Sequence, residues 1–97
     1  MTDNEKFEKI LQEAFELRVR KDADYKSSWK RHGQMGVAVR MSDKMQRIEK
    51  MVVDPCIHKL EAVAHVDEKV RDTAIDMLVY SALLIMLIDE EKKCKST

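Results

Sequence analysis

The sequence is poor in the residues that interrupt helices. Its 97 residues include two glycines and one proline. No segment alternates apolar and polar residues long enough to indicate a sheet. These absences argue against a β-rich protein and predict an all-α fold. The length suffices for one domain, residues 1–97, and is too short for two.

Cysteine is also scarce, and its positions argue against disulfide or zinc chemistry. Cys56 and Cys94 are far apart and outside any CxxC pair. The three histidines lack the spacing and the cysteine neighbours of a zinc site. The N-terminus has no apolar signal segment. We therefore predict free thiols and a cytoplasmic location.

The chain carries no excess charge and no long apolar run. Its 18 basic and 18 acidic residues give no global reason to bind long nucleic acid or an anionic membrane. The most apolar segment, Met77 to Ile88, has twelve residues, whereas a membrane-spanning helix needs about 20. Neither a membrane nor long nucleic acid is expected as a partner.

Residues 68–91 are the strongest helical signal, and we predict that they form the core helix, with Asp67 as N-cap. From Met77 to Ile88 this helix is apolar on every face, so every face needs covering. The remaining helices of so short a chain are too few for this. We therefore expect a homo-oligomer, a dimer or larger.

The other helices are predicted from apolar periodicity. The first runs from about Asn4 to Lys21, begins at a cap among Thr2, Asp3 and Asn4, and carries no function. Its predicted buried face comprises Phe7, Ile10, Leu11, Ala14 and Leu17. The second covers Val37 to Val52, and a short third helix follows Asp54 and Pro55. We expect a compact four-helix unit, three main helices plus one short.

Charges are sorted along the chain. Residues 18–50 contain ten basic and four acidic side chains, whereas residues 51–91 contain three basic and nine acidic ones. The second helix carries a cationic stripe of Arg40, Lys44, Arg47 and Lys50. Glu68, Asp72, Asp76 and Tyr80 recur every four residues on the core helix. The pattern fits interhelical ion pairing, and it also fits a basic and an acidic wall around a phosphate and its metal.

Two aromatic residues lie in the segment 22–36, which contains both glycines and is predicted to be a loop. Tyr25 and Trp29, beside lysines and an arginine, could stack against a base next to phosphate-binding cations. They could also form a hydrophobic plug over the core, which is the commoner arrangement of a loop tryptophan.

Asp76 is the ionisable residue closest to the apolar run. Burying its carboxylate unpaired would cost several kcal/mol. It must therefore face a cation, which Lys44, Arg47 or Mg²⁺ could supply.

An ordered set of short motifs carries a resemblance: DYxxxW, GV, RxxDKxxRI and ExxxDTxxDxxxY. The matching residues are Asp24, Tyr25, Trp29, Gly36, Arg40, Asp43, Lys44, Arg47, Glu68, Asp72, Thr73, Asp76 and Tyr80. The set resembles the nucleotide-modification-associated domain family, found largely in phages, over about two thirds of the chain. That family is in turn similar to the MazG-like all-α nucleoside triphosphate pyrophosphohydrolases.

The resemblance implies a helical, oligomeric, magnesium-dependent enzyme, here a phage protein acting in a bacterial host's cytoplasm. Asp76 fits the last carboxylate of the MazG-like metal motifs, but Thr73 stands where a glutamate is expected. Asp43 and Gln46 replace the first carboxylate pair.

Two functions follow, with no catalytic residue assigned. In the first, a Mg²⁺-dependent hydrolase cleaves a nucleoside triphosphate to the monophosphate and pyrophosphate. Substrate would contact Tyr25, Trp29, Arg40, Lys44 and Arg47, and metal would contact Glu68, Asp72 and Asp76. In the second, a non-catalytic module binds or sequesters a nucleotide or signalling nucleotide, or holds a partner helix, and needs no metal.

Overall fold

In the part of the chain that the computed structural model describes, the protein forms three α-helices. The described residues are 1–25, 28–53 and 67–95, without the side chains of 24, 25, 67, 68 and 93–95. The helices are α1 (Asp3–Tyr25), α2 (Gly33–Ile48) and α3 (Asp67–Lys95). A 3₁₀ turn, Ser28–Lys30, precedes α2, and a π-helical turn, Glu49–Val53, extends it. The all-α prediction is confirmed. The predicted short helix after Pro55 lies outside the described residues.

Helix α1 begins at one of the predicted caps. Thr2 Oγ1 accepts a hydrogen bond from the backbone N–H of Glu5 at 3.2 Å, which satisfies one of the free donors at the helix start. Acidic Asp3 and Glu5 occupy the first turn, where the helix dipole favours negative charge. The helix continues four residues past the predicted end at Lys21, so the segment predicted as a loop is shorter than expected.

Only part of the predicted apolar face of α1 is buried. Ala14 is buried and Leu17 half-buried, whereas Phe7, Ile10 and Leu11 are 63%, 40% and 41% exposed. The reason is the position of α1 along α3. Glu13 already reaches Arg71, in the second turn of α3. The first turns of α1 therefore extend past the beginning of α3.

The Glu13–Arg71 pair connects α1 to α3 through two hydrogen bonds. Arg71 Nη1 and Nη2 donate to the two carboxylate oxygens of Glu13 at 3.1 and 2.6 Å. The hydrogen bond from Arg71 holds the pKa of the Glu13 carboxyl below its ordinary value of 4.5 and raises the pKa of the guanidinium. Because both side chains are exposed, this contact is screened by solvent and salt.

Helix α2 begins earlier than predicted because both glycines serve its first turn. Gly33 has a φ of 60°, a left-handed conformation that favours glycine. The backbone N–H of Gly36 donates to the carbonyl of His32 at 3.1 Å. A Cβ at Gly36 would lie 2.6 Å from the Cβ of His32. The glycine-containing segment therefore starts a helix instead of forming a long loop.

Helices α2 and α3 are antiparallel and make the most extensive contact in the described fold. Nζ of Lys30, before α2, lies 3.9 Å from Oε1 of Glu90, near the end of α3. In the first turn of α2, the side-chain amide of Gln34 donates a hydrogen bond to the carboxylate of Glu91. Val37, the most buried residue of α2, is 1% exposed. The pairing brings the middle of α2 beside the middle of α3.

The core is centred on one face of α3. Ile75, Val79 and Leu83, four residues apart, are buried with Ala14. Leu17, Trp29, Leu78 and Tyr80 pack against this cluster.

The described helices leave another face of α3 uncovered. Ile85 is 57% exposed and Met86 39%. The sequence predicted that every face of this helix is covered. Because the described helices leave this face exposed, such coverage would need surface from outside the described part of the chain. No described helix combines the length and apolar character required to cross a membrane.

Candidate functional site

A cavity of about 380 Å³ opens between the C-terminal half of α1, the 3₁₀ turn, α2 and α3. This volume lies in the range of small-molecule sites. Its wall comprises three cations, two carboxylates, two aromatic residues, two aliphatic residues and a serine: Arg18, Lys21, Arg40, Asp22, Asp76, Trp29, Tyr80, Val79, Leu83 and Ser28. Every described helical segment except the π-helical turn contributes to it.

Helix α1 supplies three charged residues from one face. Lys21 and Asp22 follow Arg18 by three and four residues, so in a helix both lie on the same face as Arg18. They continue the buried stripe of Ala14 and Leu17 toward the C-terminus of α1. The extension of α1 to Tyr25 keeps this turn helical and fixes the direction of all three side chains.

Asp76 joins the three helices through a shared carboxylate. Lys21 Nζ of α1 donates to Oδ1 at 3.1 Å, and Lys44 Nζ of α2 lies 3.2 Å from Oδ2. The side chains of Asp76 and Lys44 are each 19% exposed, whereas that of Lys21 is 45% exposed. The expectation that Asp76 faces a cation is confirmed for Lys44. Lys21 is a second partner that sequence reasoning missed.

Another part of the cavity wall is aromatic and aliphatic. Trp29 and Tyr80 line it together with Val79 and Leu83. Lys30 Nζ lies 5.4 Å from the centroid of the Trp29 ring, within the range of a cation–π contact. The indole N–H of Trp29 is buried and has no acceptor among the described residues. Trp29 packs on the core and also borders the cavity, so the plug and stacking interpretations share one position.

The predicted substrate-binding residues differ in their relation to the cavity. Trp29 and Arg40 line it. Lys44 reaches Asp76 without lining it, and Arg47 is exposed outside the lining. The side chain of Tyr25 is not among the described ones.

Of the predicted metal ligands on α3, Glu68, Asp72 and Asp76, only Asp76 is seen to line the cavity. Asp72 is exposed and does not line the cavity, and the side chain of Glu68 is not among the described ones. Within the described part of the chain, no three His, Cys, Asp or Glu side chains are close enough to hold a metal. Lys21 and Lys44 each contact one oxygen of Asp76. Two ammonium groups at this distance disfavour a divalent cation there, so the described donors fit Mg²⁺ poorly.

Sequence reasoning missed Arg18 and Lys21, since it gave the first helix no function. The signal was present in their spacing. Each follows a residue of the predicted buried face by four positions, Ala14 and Leu17 respectively, and therefore lies on the border of that face.

Comparison with known proteins identifies no relative that would assign a function to this cavity. The chain matches no protein-family model, and neither curated proteins nor solved structures gave a significant match. The similarity to the nucleotide-modification-associated family stays a prediction from short motifs.

Proposed function

We propose that the protein binds a nucleotide in the cavity between its three described helices and that binding does not require a metal. The observation that carries the proposal is the lining itself, where Arg18, Lys21 and Arg40 share one small cavity with Trp29 and Tyr80. Cations recognise phosphate, and aromatic rings recognise a planar base.

The phosphate would lie against the cations. The lining has three cations and two carboxylates, and Lys44 further offsets the charge of Asp76. Lys21 has one hydrogen bond to Asp76, and an ammonium group has three donors, so it can bind an anion while still holding the carboxylate. Arginine adds planar, two-pronged recognition of phosphate oxygens.

The base would lie against the aromatic part of the wall. Asp76 and Tyr80 are four residues apart on α3, which corresponds to about 6 Å along the helix. The carboxylate that holds the lysines and the aromatic side chain thus line the cavity one helical turn apart.

Metal-independent binding is supported by the state of Asp76. Its oxygens are already paired with two lysines, which would have to move before Mg²⁺ could bind. Hydrolysis of a nucleoside triphosphate to the monophosphate and pyrophosphate is the second candidate, and the motif resemblance alone favours it.

Calorimetric titration tests the proposal. Nucleoside mono- and triphosphates are titrated with EDTA and with Mg²⁺, and pyrophosphate release is followed in parallel. We expect saturable binding in EDTA and no turnover. Turnover that requires Mg²⁺ would support the hydrolase instead, and the absence of nucleotide binding under both conditions would contradict the proposal.

A matched pair of charge reversals locates the site. Arg40→Glu should weaken binding at least tenfold, because Arg40 lines the cavity. Arg47→Glu makes the same charge change on the same helix, at an exposed position outside the lining. It should change affinity by less than threefold. If Arg47→Glu weakened binding more than Arg40→Glu, the phosphate would lie outside the cavity, beside Arg47, which the sequence analysis also assigned to substrate binding.

A further inference from the structure

A row of exposed apolar side chains follows α1 outside the cavity. We call Phe7, Leu11, Phe15 and Val19 the α1 stripe; they are 63%, 41%, 58% and 47% exposed. Their spacing of four residues places them on one ridge of the helix, about 18 Å long. Four large apolar residues in a continuous row are unusual on a monomer surface and mark an interaction site.

The spacing of the stripe is self-complementary. If two α1 helices pack antiparallel about a two-fold axis at residue 13, Leu11 of each copy faces Phe15 of the other, and Phe7 faces Val19. Ridges with a spacing of four residues interdigitate in the commonest class of helix packing. The same side chains thus supply both halves of a closed interface.

The charges beside the stripe select this orientation. Glu8, Gln12, Glu16 and Arg20 form the neighbouring ridge, one residue further along. Antiparallel packing brings Glu8 of one copy near Arg20 of the other at both ends of the interface. Parallel packing about a two-fold axis would instead place the two copies of this ridge on opposite sides of the interface, where Glu8 and Arg20 do not meet. Both side chains are exposed, and neither forms an ion pair with another described residue.

We infer that the α1 stripe is a homodimer interface in which two copies pack their α1 helices antiparallel. This inference is independent of nucleotide binding.

The oligomeric mass and one pair of variants test the interface. Light scattering at low micromolar concentration should give twice the chain mass of 11.3 kDa. Phe15→Glu should give the monomer mass, with unchanged helix content because the residue is exposed. Ile85→Glu is the matched control on α3, since Ile85 is 57% exposed and Phe15 58%. It should remain dimeric.

Charge exchange tests the orientation. Glu8→Arg and Arg20→Glu should each weaken the dimer at least fivefold, and the double variant should restore it to within twofold of the original, because the opposite charges face each other again. Lys9→Glu, a charge reversal away from the stripe, should have no such effect.

Three results would overturn the inference. A monomeric native protein would mean that the stripe is covered within the chain or binds a different protein. Dissociation by Ile85→Glu but not by Phe15→Glu would place the interface on α3. Failure of the double charge exchange to restore the dimer would exclude the antiparallel arrangement.

Discussion

At the scale of the residue, Asp76 connects stability and binding. It directly precedes the apolar run, and the sequence predicted that a carboxylate at this position needs a cationic partner. Its two lysines come from two different helices, so removing the carboxylate affects both helix contacts at once. Pairing with Lys44 could be predicted because both residues lie on the borders of apolar stripes. Pairing with Lys21 could not, since the relative position of α1 depends on packing.

Asp76→Asn should lower the free energy of unfolding by about 1 to 3 kcal/mol, because two partly buried ammonium groups lose their anion. The same change makes the cavity more positive, so metal-free nucleotide affinity should be retained or increased. Urea unfolding and calorimetry measure the two effects. Asp72→Asn, one turn earlier and exposed, is the control. Loss of metal-free binding in a folded Asp76→Asn protein would contradict the role given to this residue.

Gly36→Ala should destabilise the protein by about 1 to 2 kcal/mol, although alanine is the better helix former by about 1 kcal/mol. The added Cβ would lie 2.6 Å from the Cβ of His32, an atom that moves only with its backbone. Thermal or urea unfolding provides the measurement. Equal or greater stability would show that the first turn of α2 can shift without cost.

At the scale of the element, α1 is positioned by contacts at both sides of its buried segment, Glu13 with Arg71 and Lys21 with Asp76. Helix class and the cap at Thr2 could be predicted because they depend on local sequence. The end of α1 and the start of α2 could not. Both glycines indicated a loop, whereas Gly33 and Gly36 belong to the first turn of a helix. The exposure of Phe7 and Leu11 depends on where α1 lies along α3.

The Glu13–Arg71 pair should make stability depend on pH in acid. Folding lowers the pKa of Glu13 below 4.5, so the pair stabilises the fold above that value and loses this contribution as pH falls through the lowered pKa. The difference in melting temperature between the native protein and Glu13→Gln should therefore be greater at neutral pH than in strong acid. High salt should reduce it, because the pair is exposed. A difference independent of pH would contradict this assignment.

At the scale of the whole molecule, the three described helices and the 3₁₀ turn together form the cavity. The sequence could indicate Arg40 and Asp76, because each is a charged residue beside an apolar segment, and Trp29, because it is a large aromatic residue next to cations. It could not indicate that Arg47 and Asp72 are exposed outside the cavity. That outcome depends on the rotation of α2 and α3 about their axes, which short periodic patterns define poorly.

A dimer formed through the α1 stripe should melt at a temperature that rises with protein concentration, because dissociation accompanies unfolding. Phe15→Glu should melt at a temperature independent of concentration. Scans at protein concentrations that differ by a factor of about 100 provide the comparison. A native melting temperature independent of concentration, together with a dimeric mass, would mean that the dimer does not contribute to stability in this range.

Trp29 also gives the molecule a built-in optical probe. It is the only tryptophan, so fluorescence excited at the red edge of protein absorption comes from a single indole at the cavity wall. The wavelength of indole emission follows the polarity around the ring, and a nearby ammonium such as that of Lys30 also affects it. A change of emission upon adding a solute would report an event where α3, the 3₁₀ turn and the beginning of α2 meet, without any label.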